Sequence, residues 1–205
     1  MGYFITFEGG EGTGKTTIIN YLNEYLLNKG YQVIKTREPG GIEIAEQIRS
    51  IILDVKNTKM DYRTEALLYA ASRTQHLAEK VIPALKENKI VLCDRYLDSS
   101  LVYQGIARNL GIENVLKINM FATEYMPDIT FFIDVKPEIC FKRLKDNNRE
   151  MDRLDLENMD FHNMVYEGYR HVAKMYPNRI VSINGDRKIE EIIDDIKKRI
   201  DELIK

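Results

Sequence analysis

Short apolar runs alternate along the chain with longer stretches in which apolar residues return every three or four positions. The short runs are typical of buried β-strands, and the longer spacing is typical of helices with one apolar face. The predicted strands cover residues 3–7, 32–36, 90–93, 129–133 and 179–183. The predicted helices cover about residues 15–29, 42–54, 61–87, 97–108, 112–124, 137–146, 156–175 and 188–203.

The alternation of strands and helices predicts the fold class. It indicates an α/β fold in which a five-stranded parallel sheet carries helices on both faces. A chain of 205 residues is long enough for one such domain, which we expect to span residues 1–205. Ligands of parallel sheets bind beyond the carboxyl ends of the strands, so functional residues are expected in the segments that follow the strands.

A glycine-rich segment lies between the first predicted strand and the first predicted helix. Residues 9–16, here called the P-loop, read GGEGTGKT and fit the pattern G-x-x-x-x-G-K-[ST]. In this pattern backbone N–H groups at a helix N-terminus surround the phosphates of a nucleoside triphosphate. Lys15 would reach the outer phosphates, and the Thr16 hydroxyl would hold Mg²⁺. A P-loop NTPase fold with three layers is therefore expected, and the residues expected to bind the triphosphate are Gly9, Gly10, Glu11, Gly12, Thr13, Gly14, Lys15, Thr16 and Thr17.

Composition narrows the class of protein. The net charge of −2 argues against a dedicated nucleic-acid binder, which normally carries a basic excess. No apolar run has the length of a membrane span, and we expect neither a signal peptide nor a membrane partner. The two cysteines, Cys93 and Cys140, do not make a disulfide framework, which fits a reducing cytoplasmic setting.

Charged residues follow the second and third predicted strands. Arg37 and Glu38 precede a proline and two glycines, and Arg37 is either an anion-binding residue or part of a solvated loop. The third strand ends in Asp94, as a Walker B strand does, and this carboxylate would help to hold Mg²⁺. Arg95, beside a buried strand end, needs an anionic partner, and a phosphate is the natural candidate.

Two predicted helices carry residues that suit a nucleobase. Tyr69 and Arg73 are four residues apart on one helix face, and Ser100 and Gln104 have the same spacing on another helix. An aromatic ring could stack on a base while amide and guanidinium groups read its edge. The alternative is a core tyrosine and a surface arginine, and the spacing alone favours this alternative.

A polar, asparagine-rich segment interrupts the helical patterns between residues 143 and 155. It is either an exposed connector or a mobile lid that brings arginines to a transferring phosphoryl group. The lid is favoured because the P-loop itself contains no arginine. The basic residues of the segment are Arg143, Lys145, Arg149 and Arg153.

The chain resembles the thymidylate kinases over essentially its whole length, because several segments recur in the order found in that family. The acidic P-loop and the arginines of the lid look like the bacterial subtype, in which the lid supplies the basic groups. The matching segments are residues 7–17 (FEGGEGTGKTT), 36–41 (TREPGG), 65–66 (EA), 69–73 (YAASR), 94–96 (DRY), 98–100 (DSS), 103–105 (YQG), 127–128 (PD) and the lid.

The resemblance implies a fold of the nucleoside monophosphate kinase type and an activity. The implied reaction transfers the γ-phosphoryl group of ATP to dTMP, giving dTDP on the route to dTTP, and the implied assembly is a homodimer. Thr16 and Asp94 would hold Mg²⁺, with Glu8 supporting its water shell. The implied catalytic groups are Lys15, Arg95, Arg149 and Arg153. The implied ATP contacts outside the P-loop are Arg143 and Asn184, which would border the adenine.

The same resemblance implies how dTMP would be held. Arg37 and Arg95 would bind its phosphate, and Glu11 would meet the 3′-hydroxyl of its sugar. Tyr69 stands where the family usually has phenylalanine and would stack on thymine, since it keeps the ring. Tyr103 would crowd the 2′ position and favour deoxyribose. The residues that would contact the edge of the base are Arg73, Ser100 and Gln104.

Two other activities are alternatives. A deoxynucleoside kinase would phosphorylate a sugar hydroxyl with the help of a carboxylate base, for which Glu38 could serve. Arg37 and Arg95 argue against it, because a neutral acceptor would not require them. A nucleoside monophosphate is already largely a dianion at neutral pH and needs alignment and neutralisation rather than a strong base. A GTP-binding switch is the other alternative, but the chain has no Asn-Lys-x-Asp run to read guanine.

Overall fold

The protein is built around a five-stranded parallel sheet, seen in a computed structural model that describes residues 2–146 and 152–205. The strands are β1 (Tyr3–Glu8), β2 (Val33–Arg37), β3 (Ile90–Asp94), β4 (Ile129–Asp134) and β5 (Ile180–Asn184). They are adjacent in the order β2-β3-β1-β4-β5, and all four pairings are parallel. Each predicted strand is present, with its ends shifted by no more than one residue.

Helices connect the strands and cover both faces of the sheet, which confirms the predicted fold class. They are α1 (Lys15–Asn28), α2 (Glu43–Leu53), α3 (Tyr62–His76), α4 (Ile82–Lys86), α5 (Leu97–Ser100), α6 (Ile112–Ile118), α7 (Met120–Thr123), α8 (Pro137–Asp146), α9 (Met159–Met175) and α10 (Ile189–Leu203). Apart from the interruptions described next, the predicted ends differ from these by at most three residues. No helix in the described ranges combines the length and the apolar character that a membrane crossing requires.

Two of the predicted helices contain wider turns of the π type, which the sequence pattern did not indicate. Residues Leu77–Val81 join α3 to α4, and Leu101–Ala107 continue α5. Proline cannot donate a backbone hydrogen bond, and its ring collides with the carbonyl group of the residue four positions earlier. The wide turn just before Pro83, in which the N–H of Ile82 donates to the Leu77 carbonyl, relieves that collision without ending the helix.

The predicted helix over residues 112–124 is divided into α6 and α7 at Asn119. The side chain of Asn119 donates to the carbonyl oxygen of Val115 at 2.9 Å and accepts from Arg73 at 2.6 Å. Asparagine competes in this way with the hydrogen bonds of a continuous helix. The residue between α6 and α7 is therefore hydrogen-bonded to Arg73, which was predicted to contact a base.

The sheet separates two apolar cores, because successive residues of a strand point to opposite faces. On one face Ile5 and Phe7 of β1 pack with residues of α1 and α10, such as Leu22 and Ile196. On the other face Phe4 packs with residues of β3, α5 and α9. The alternation along β1 thus holds helices against both sides of the strand that leads into the P-loop.

The carboxyl ends of β2, β3 and β1 lie at one level of the sheet. Arg37 is paired with Asp94, and Asp94 is paired with Phe7. The backbone N–H of Arg95 donates to the Phe7 carbonyl at 2.9 Å, and that of Glu38 donates to the Asp94 carbonyl at 2.9 Å. The charged residues that follow these three strands therefore meet at one edge of the sheet.

Candidate active site

The P-loop follows β1 and leads directly into α1. A Cβ atom on Gly12, whose φ is +77°, would lie 2.8 Å from the carbonyl oxygen of Cys140. Only glycine fits where the loop passes this close to α8. The ammonium group of Lys15 donates to the carbonyl oxygens of Gly9 at 3.2 Å and Gly10 at 2.9 Å. Lys15 therefore lies across the loop, where the phosphates of a nucleotide bind in P-loop proteins.

Oxygen donors for a metal lie at the end of β3. The Thr16 hydroxyl donates to an Asp94 carboxylate oxygen at 3.1 Å, and the ammonium group of Lys15 lies 4.0 Å from the other oxygen. Within the described ranges no cluster of three or more His, Cys, Asp or Glu side chains could hold a metal ion alone. One hydroxyl and one carboxylate fit Mg²⁺, which keeps several waters and takes its remaining ligands from substrate phosphates.

A cavity of about 560 Å³ opens between the P-loop, α3 and the helical segment that begins with α5. It brings residues predicted to bind the triphosphate together with residues predicted to bind an acceptor. The predicted residues that line it are Glu11, Gly12, Gly14, Lys15, Thr16, Thr17, Arg37, Tyr69, Arg73, Asp94, Arg95, Tyr103, Gln104 and Arg143. Two substrates bound in this cavity would therefore face each other across Lys15 and Arg95.

Arg95 is held rigidly between the two halves of the cavity. Its φ of +69° is uncommon for a residue other than glycine and turns the side chain toward the P-loop. The guanidinium group donates to a Glu11 carboxylate oxygen at 2.7 Å, to the Tyr169 hydroxyl at 2.8 Å and to the Ser99 hydroxyl at 3.2 Å. It also lies over the ring of Tyr103, with 5.4 Å between guanidinium carbon and ring centroid. These contacts fix a positive charge where an acceptor phosphate would need it.

Glu8 lies beneath Arg95 and does not line the cavity. Its carboxyl group, 1% exposed, accepts from the backbone N–H of Tyr96 at 2.8 Å, from the Ser99 hydroxyl at 2.6 Å and from the Tyr169 hydroxyl at 3.0 Å. Burial, and next the charge of nearby Asp98, raises the pKa of Glu8 to about 7. Glu8 is therefore not positioned to support the water shell of a metal ion, and that prediction does not fit the structure. Glu8 instead holds the segment that carries Arg95.

The far end of the cavity carries the residues predicted to contact a base. Arg73 is only 2% exposed, so the alternative of a surface arginine is wrong. Its guanidinium group donates to Glu38 at 2.7 Å, to the Asn119 side chain at 2.6 Å and to the Tyr96 carbonyl at 3.1 Å. Tyr69 and Gln104 are also almost entirely buried and line the same wall. The wall therefore presents an aromatic face and fixed polar groups.

Several predicted residues lie elsewhere. Arg153 does not line the cavity; it donates to Glu65 at 2.6 Å and to the Ile52 carbonyl at 2.8 Å. Its predicted action on a phosphoryl group does not fit this position. Arg149 lies outside the described residues, as does the middle of the predicted lid. The other predicted residues that do not line the cavity are Gly9, Gly10, Thr13, Ser100 and Asn184.

Comparisons with known proteins point to one family. Residues 7–196 match the sequence model of the thymidylate kinase family. A thymidylate kinase of Clostridium novyi (strain NT) is 55% identical over 198 residues, which are 96% of this chain and 97% of that protein. A thymidylate kinase of Shouchella clausii (strain KSM-K16) is 54% identical, over 99% of this chain and 96% of that protein.

The chain belongs to the thymidylate kinase family. The crystal structure of thymidylate kinase from Ehrlichia chaffeensis is similar in fold, with a TM-score of 0.80 and 32% identity over 97% of this chain and 98% of that one. The resemblance and the nucleoside monophosphate kinase fold that we inferred from the motifs are thereby confirmed.

Glu38 is not placed to act as the base of a deoxynucleoside kinase. One carboxylate oxygen accepts from Arg73 at 2.7 Å, and the other is paired with a ring nitrogen of His76 at 3.0 Å. A base would have to give up one of these partners in a buried site, where an unpaired charge is costly. Neither this geometry nor the thymidylate kinase relatives support that alternative.

Sequence reasoning missed Arg49, which lines the cavity from α2. Its guanidinium group donates to the Pro39 carbonyl at 2.9 Å. Burial, and next the positive charge of Arg37, lowers the pKa of Arg49 below its usual value. Two guanidinium groups that repel each other favour an anion between them. The signal in the sequence was weak, because Arg49 is one of several charged residues on α2 and its direction depends on how that helix packs.

The raised pKa of Glu8 predicts how stability depends on pH. A carboxyl group whose pKa is higher in the folded than in the unfolded chain binds its proton more tightly when folded, so its contribution to the free energy of unfolding falls as pH rises. The decrease in the free energy of unfolding should occur between pH 4.5, the usual pKa of the group, and about pH 7. We expect Glu8→Gln to remove on the order of 3 kcal/mol of this pH dependence. Urea denaturation at several pH values measures it.

Asp195→Asn is the control for this prediction. Its hydrogen bond with Arg187 lowers the pKa of Asp195, so the stabilisation that it gives is lost only at pH values below its usual pKa of 3.8. The Asp195→Asn protein should therefore keep the wild-type dependence above pH 4.5. An equal pH dependence in wild type and Glu8→Gln would show that Glu8 titrates normally.

Proposed function

We propose that the protein transfers the γ-phosphoryl group of ATP to dTMP, producing ADP and dTDP on the route to dTTP, as a single domain spanning residues 1–205. One observation carries the proposal: the P-loop, a group of arginines and a wall with an aromatic ring and fixed polar groups open onto the same cavity. Membership of the thymidylate kinase family supports it. Each group of the site has a task in this proposal.

The donor side of the cavity would hold ATP. The P-loop amides and Lys15 surround and neutralise the β- and γ-phosphates. Thr16 and Asp94 are the residues that would hold Mg²⁺, which when bound neutralises charge on the phosphate oxygens. Arg143 lines the cavity and donates to the Gly185 carbonyl at 3.2 Å. It and Asn184, which precedes Gly185, would border the adenine.

The acceptor side would hold the phosphate of dTMP. Arg95 and Arg37 supply positive charge at the carboxyl ends of β3 and β2, and Arg49 adds a third guanidinium group from α2. The phosphate of a nucleoside monophosphate is largely a dianion at neutral pH and attacks without a strong base. The protein's contribution is therefore to hold two mutually repelling anions in line and to neutralise their charge.

The wall at the far end would recognise the nucleoside. Tyr69 would stack on thymine, while Arg73 and Gln104 would hydrogen-bond to the edge of the base. Tyr103 is held against the ring of Tyr169, with 6.2 Å between the ring centroids, and would leave no room for a 2′-hydroxyl. Glu11, which accepts from Arg95, would meet the 3′-hydroxyl of the sugar.

A lid at about residues 143–155 is part of the proposal. It would cover the transferring phosphoryl group, with Arg149 as the arginine that reaches it. Arg153 is left out of this role because Glu65 and Ile52 already hold its guanidinium group. A cytoplasmic setting is also proposed, since the two cysteines are buried and free.

A homodimer is proposed through the outer surface of α3, α6 and α7. These helices pack against one another and expose large apolar side chains, among them Leu67 at 55%, Met120 at 60% and Phe121 at 60% exposure. Exposed apolar patches of this kind mark protein interfaces. Sedimentation velocity should give the mass of two chains, and Phe121→Glu should give the mass of one. A wild-type protein that sediments as a monomer at micromolar concentration would contradict the proposal.

ADP release with a panel of acceptors tests the proposed reaction. The purified protein is supplied with ATP, Mg²⁺ and, in separate assays, dTMP, dUMP, dCMP, AMP, GMP and thymidine. We expect the highest kcat/KM with dTMP and no release with thymidine, because the arginines of the site need an acceptor phosphate. Consumption of thymidine without consumption of dTMP would overturn the proposed function.

Replacement of Arg95 tests the assignment of the acceptor phosphate site. Arg95→Ala should lower kcat with dTMP by about 10²–10³-fold, because it removes a fixed positive group that stabilises the transition state. Arg170→Ala is the matched control, since Arg170 is half-exposed on α9 and does not line the cavity. Circular dichroism checks that both variants are folded. A near-normal kcat in Arg95→Ala would remove Arg95 from the site.

A further inference from the structure

Glu65 is a fully buried carboxylate in the first turn of α3 to which none of the roles above applies. It does not line the cavity, yet it accepts hydrogen bonds from three side chains that come from different parts of the chain. Gln104 donates to one oxygen at 2.9 Å. Arg153 and Arg108 donate to the other, at 2.6 Å and 3.5 Å. The Glu65 carboxylate therefore connects Gln104, in the wall of the cavity, with Arg153.

The surroundings of Glu65 hold its side chain in place. Arg108 lies between the rings of Tyr62 and Phe161, with its guanidinium carbon 4.6 Å and 4.5 Å from their centroids. It also donates to Glu157 at 2.6 Å. A carboxylate paired with two guanidinium groups can only accept hydrogen bonds.

Glu65, which can only accept hydrogen bonds, orients the amide of Gln104. The oxygen and nitrogen ends of a glutamine amide have nearly the same shape, and only hydrogen bonds distinguish them. Because Glu65 can only accept, the NH₂ end of Gln104 must face it. The oxygen end is then the one left for the cavity that Gln104 lines.

We propose that Glu65 is a positioning residue that sets which end of the Gln104 amide meets the base, and thereby selects a base with a ring N–H. Thymine and uracil present an N–H at ring position 3, which an amide oxygen can accept. Cytosine presents a lone pair there, and two acceptors facing each other are both left unsatisfied. The inference rests on the proposed use of dTMP and adds a residue outside the cavity to its specificity.

Glu65 prevents the rearrangement that would admit cytosine. A free Gln104 amide could rotate and offer its NH₂ group to the cytosine lone pair. With Glu65 present, that rotation would turn the amide oxygen toward a carboxylate and would lose a buried hydrogen bond. A glutamine at position 65 can itself rotate to donate, so it no longer opposes the change.

The ratio of kcat/KM for dTMP to that for dCMP, with ATP as donor, tests the proposal in Glu65→Gln. We expect the ratio to fall at least tenfold relative to wild type, while KM for ATP is unchanged. The ratio does not depend on the fraction of protein that is folded, because both substrates are measured on the same sample. A ratio equal to that of wild type overturns the proposal.

Glu157→Gln is the matched control. It makes the same change of charge in the same network, because Glu157 is also a partner of Arg108, but it does not contact Gln104. Its ratio should stay within twofold of wild type. An equal fall in both variants would assign the effect to the charge of the network and would overturn the orienting role.

Two further measurements keep the test decisive if Glu65→Gln does not fold. Glu65→Asp keeps the charge between the arginines but shortens the reach to Gln104, and it should lower the ratio in the same way. In the wild type, NMR should show contacts between the Gln104 side-chain NH₂ protons and Glu65, with the resonances assigned by their loss in Gln104→Leu. The absence of these contacts would overturn the proposal.

These measurements also distinguish a failure of the proposed function from a failure of the proposed role of Glu65. If the wild type does not phosphorylate dTMP, the reaction itself is wrong. If the wild type prefers dTMP to dCMP and Glu65→Gln has the same preference, only the role of Glu65 is wrong.

Discussion

The parallel pairing of β1 with β3 is the constraint on which the site depends. It places Phe7 beside Asp94, so the P-loop and the segment that begins with Arg95 leave the sheet side by side. The hydrogen bond from the backbone of Arg95 to the Phe7 carbonyl continues that pairing beyond the strands. Thr16 then reaches Asp94, and Arg95 reaches Glu11. Groups suited to both substrates therefore share one edge of one sheet.

Acidic side chains hold the polar groups of the cavity in place before any substrate arrives. Inside the cavity, Glu11 fixes Arg95 at 2.7 Å. Behind its wall, Glu8 secures the segment that carries Arg95, and Glu65 accepts from Gln104. A buried polar group that loses its hydrogen-bond partner costs about 1–3 kcal/mol, because folding has already removed the group from water. The value of these contacts here is that the polar groups need not reorganise when charge develops during the reaction.

Much of the fold could be predicted because its signals are local. The apolar runs located all five strands to within one residue, since a buried strand needs only its own side chains to be recognised. The P-loop was clear because a glycine loop between a strand and a helix is a contiguous motif. Asp94 was recognised only with its help, since a strand that ends in a carboxylate is a weak signal unless the chain also has a P-loop. Helical spacing placed Tyr69 and Arg73 on one face, and both line the cavity. The helical spacing of apolar residues did not predict the wide turn before Pro83, because the period of the helix changes there.

Contacts between distant parts of the chain were decided only by the tertiary structure. Glu8 meets Tyr169 across 161 positions, and no local pattern distinguishes such a carboxylate from one that faces a metal. Arg153 was predicted to act on a phosphoryl group, but Glu65 holds it, 88 positions away. Arg49 reaches the cavity only because of how α2 packs against α3. The sequence by itself determined the order of the elements and the chemistry of the P-loop; packing decided which charges face the substrates, because the direction of a side chain depends on neighbours that folding brings together.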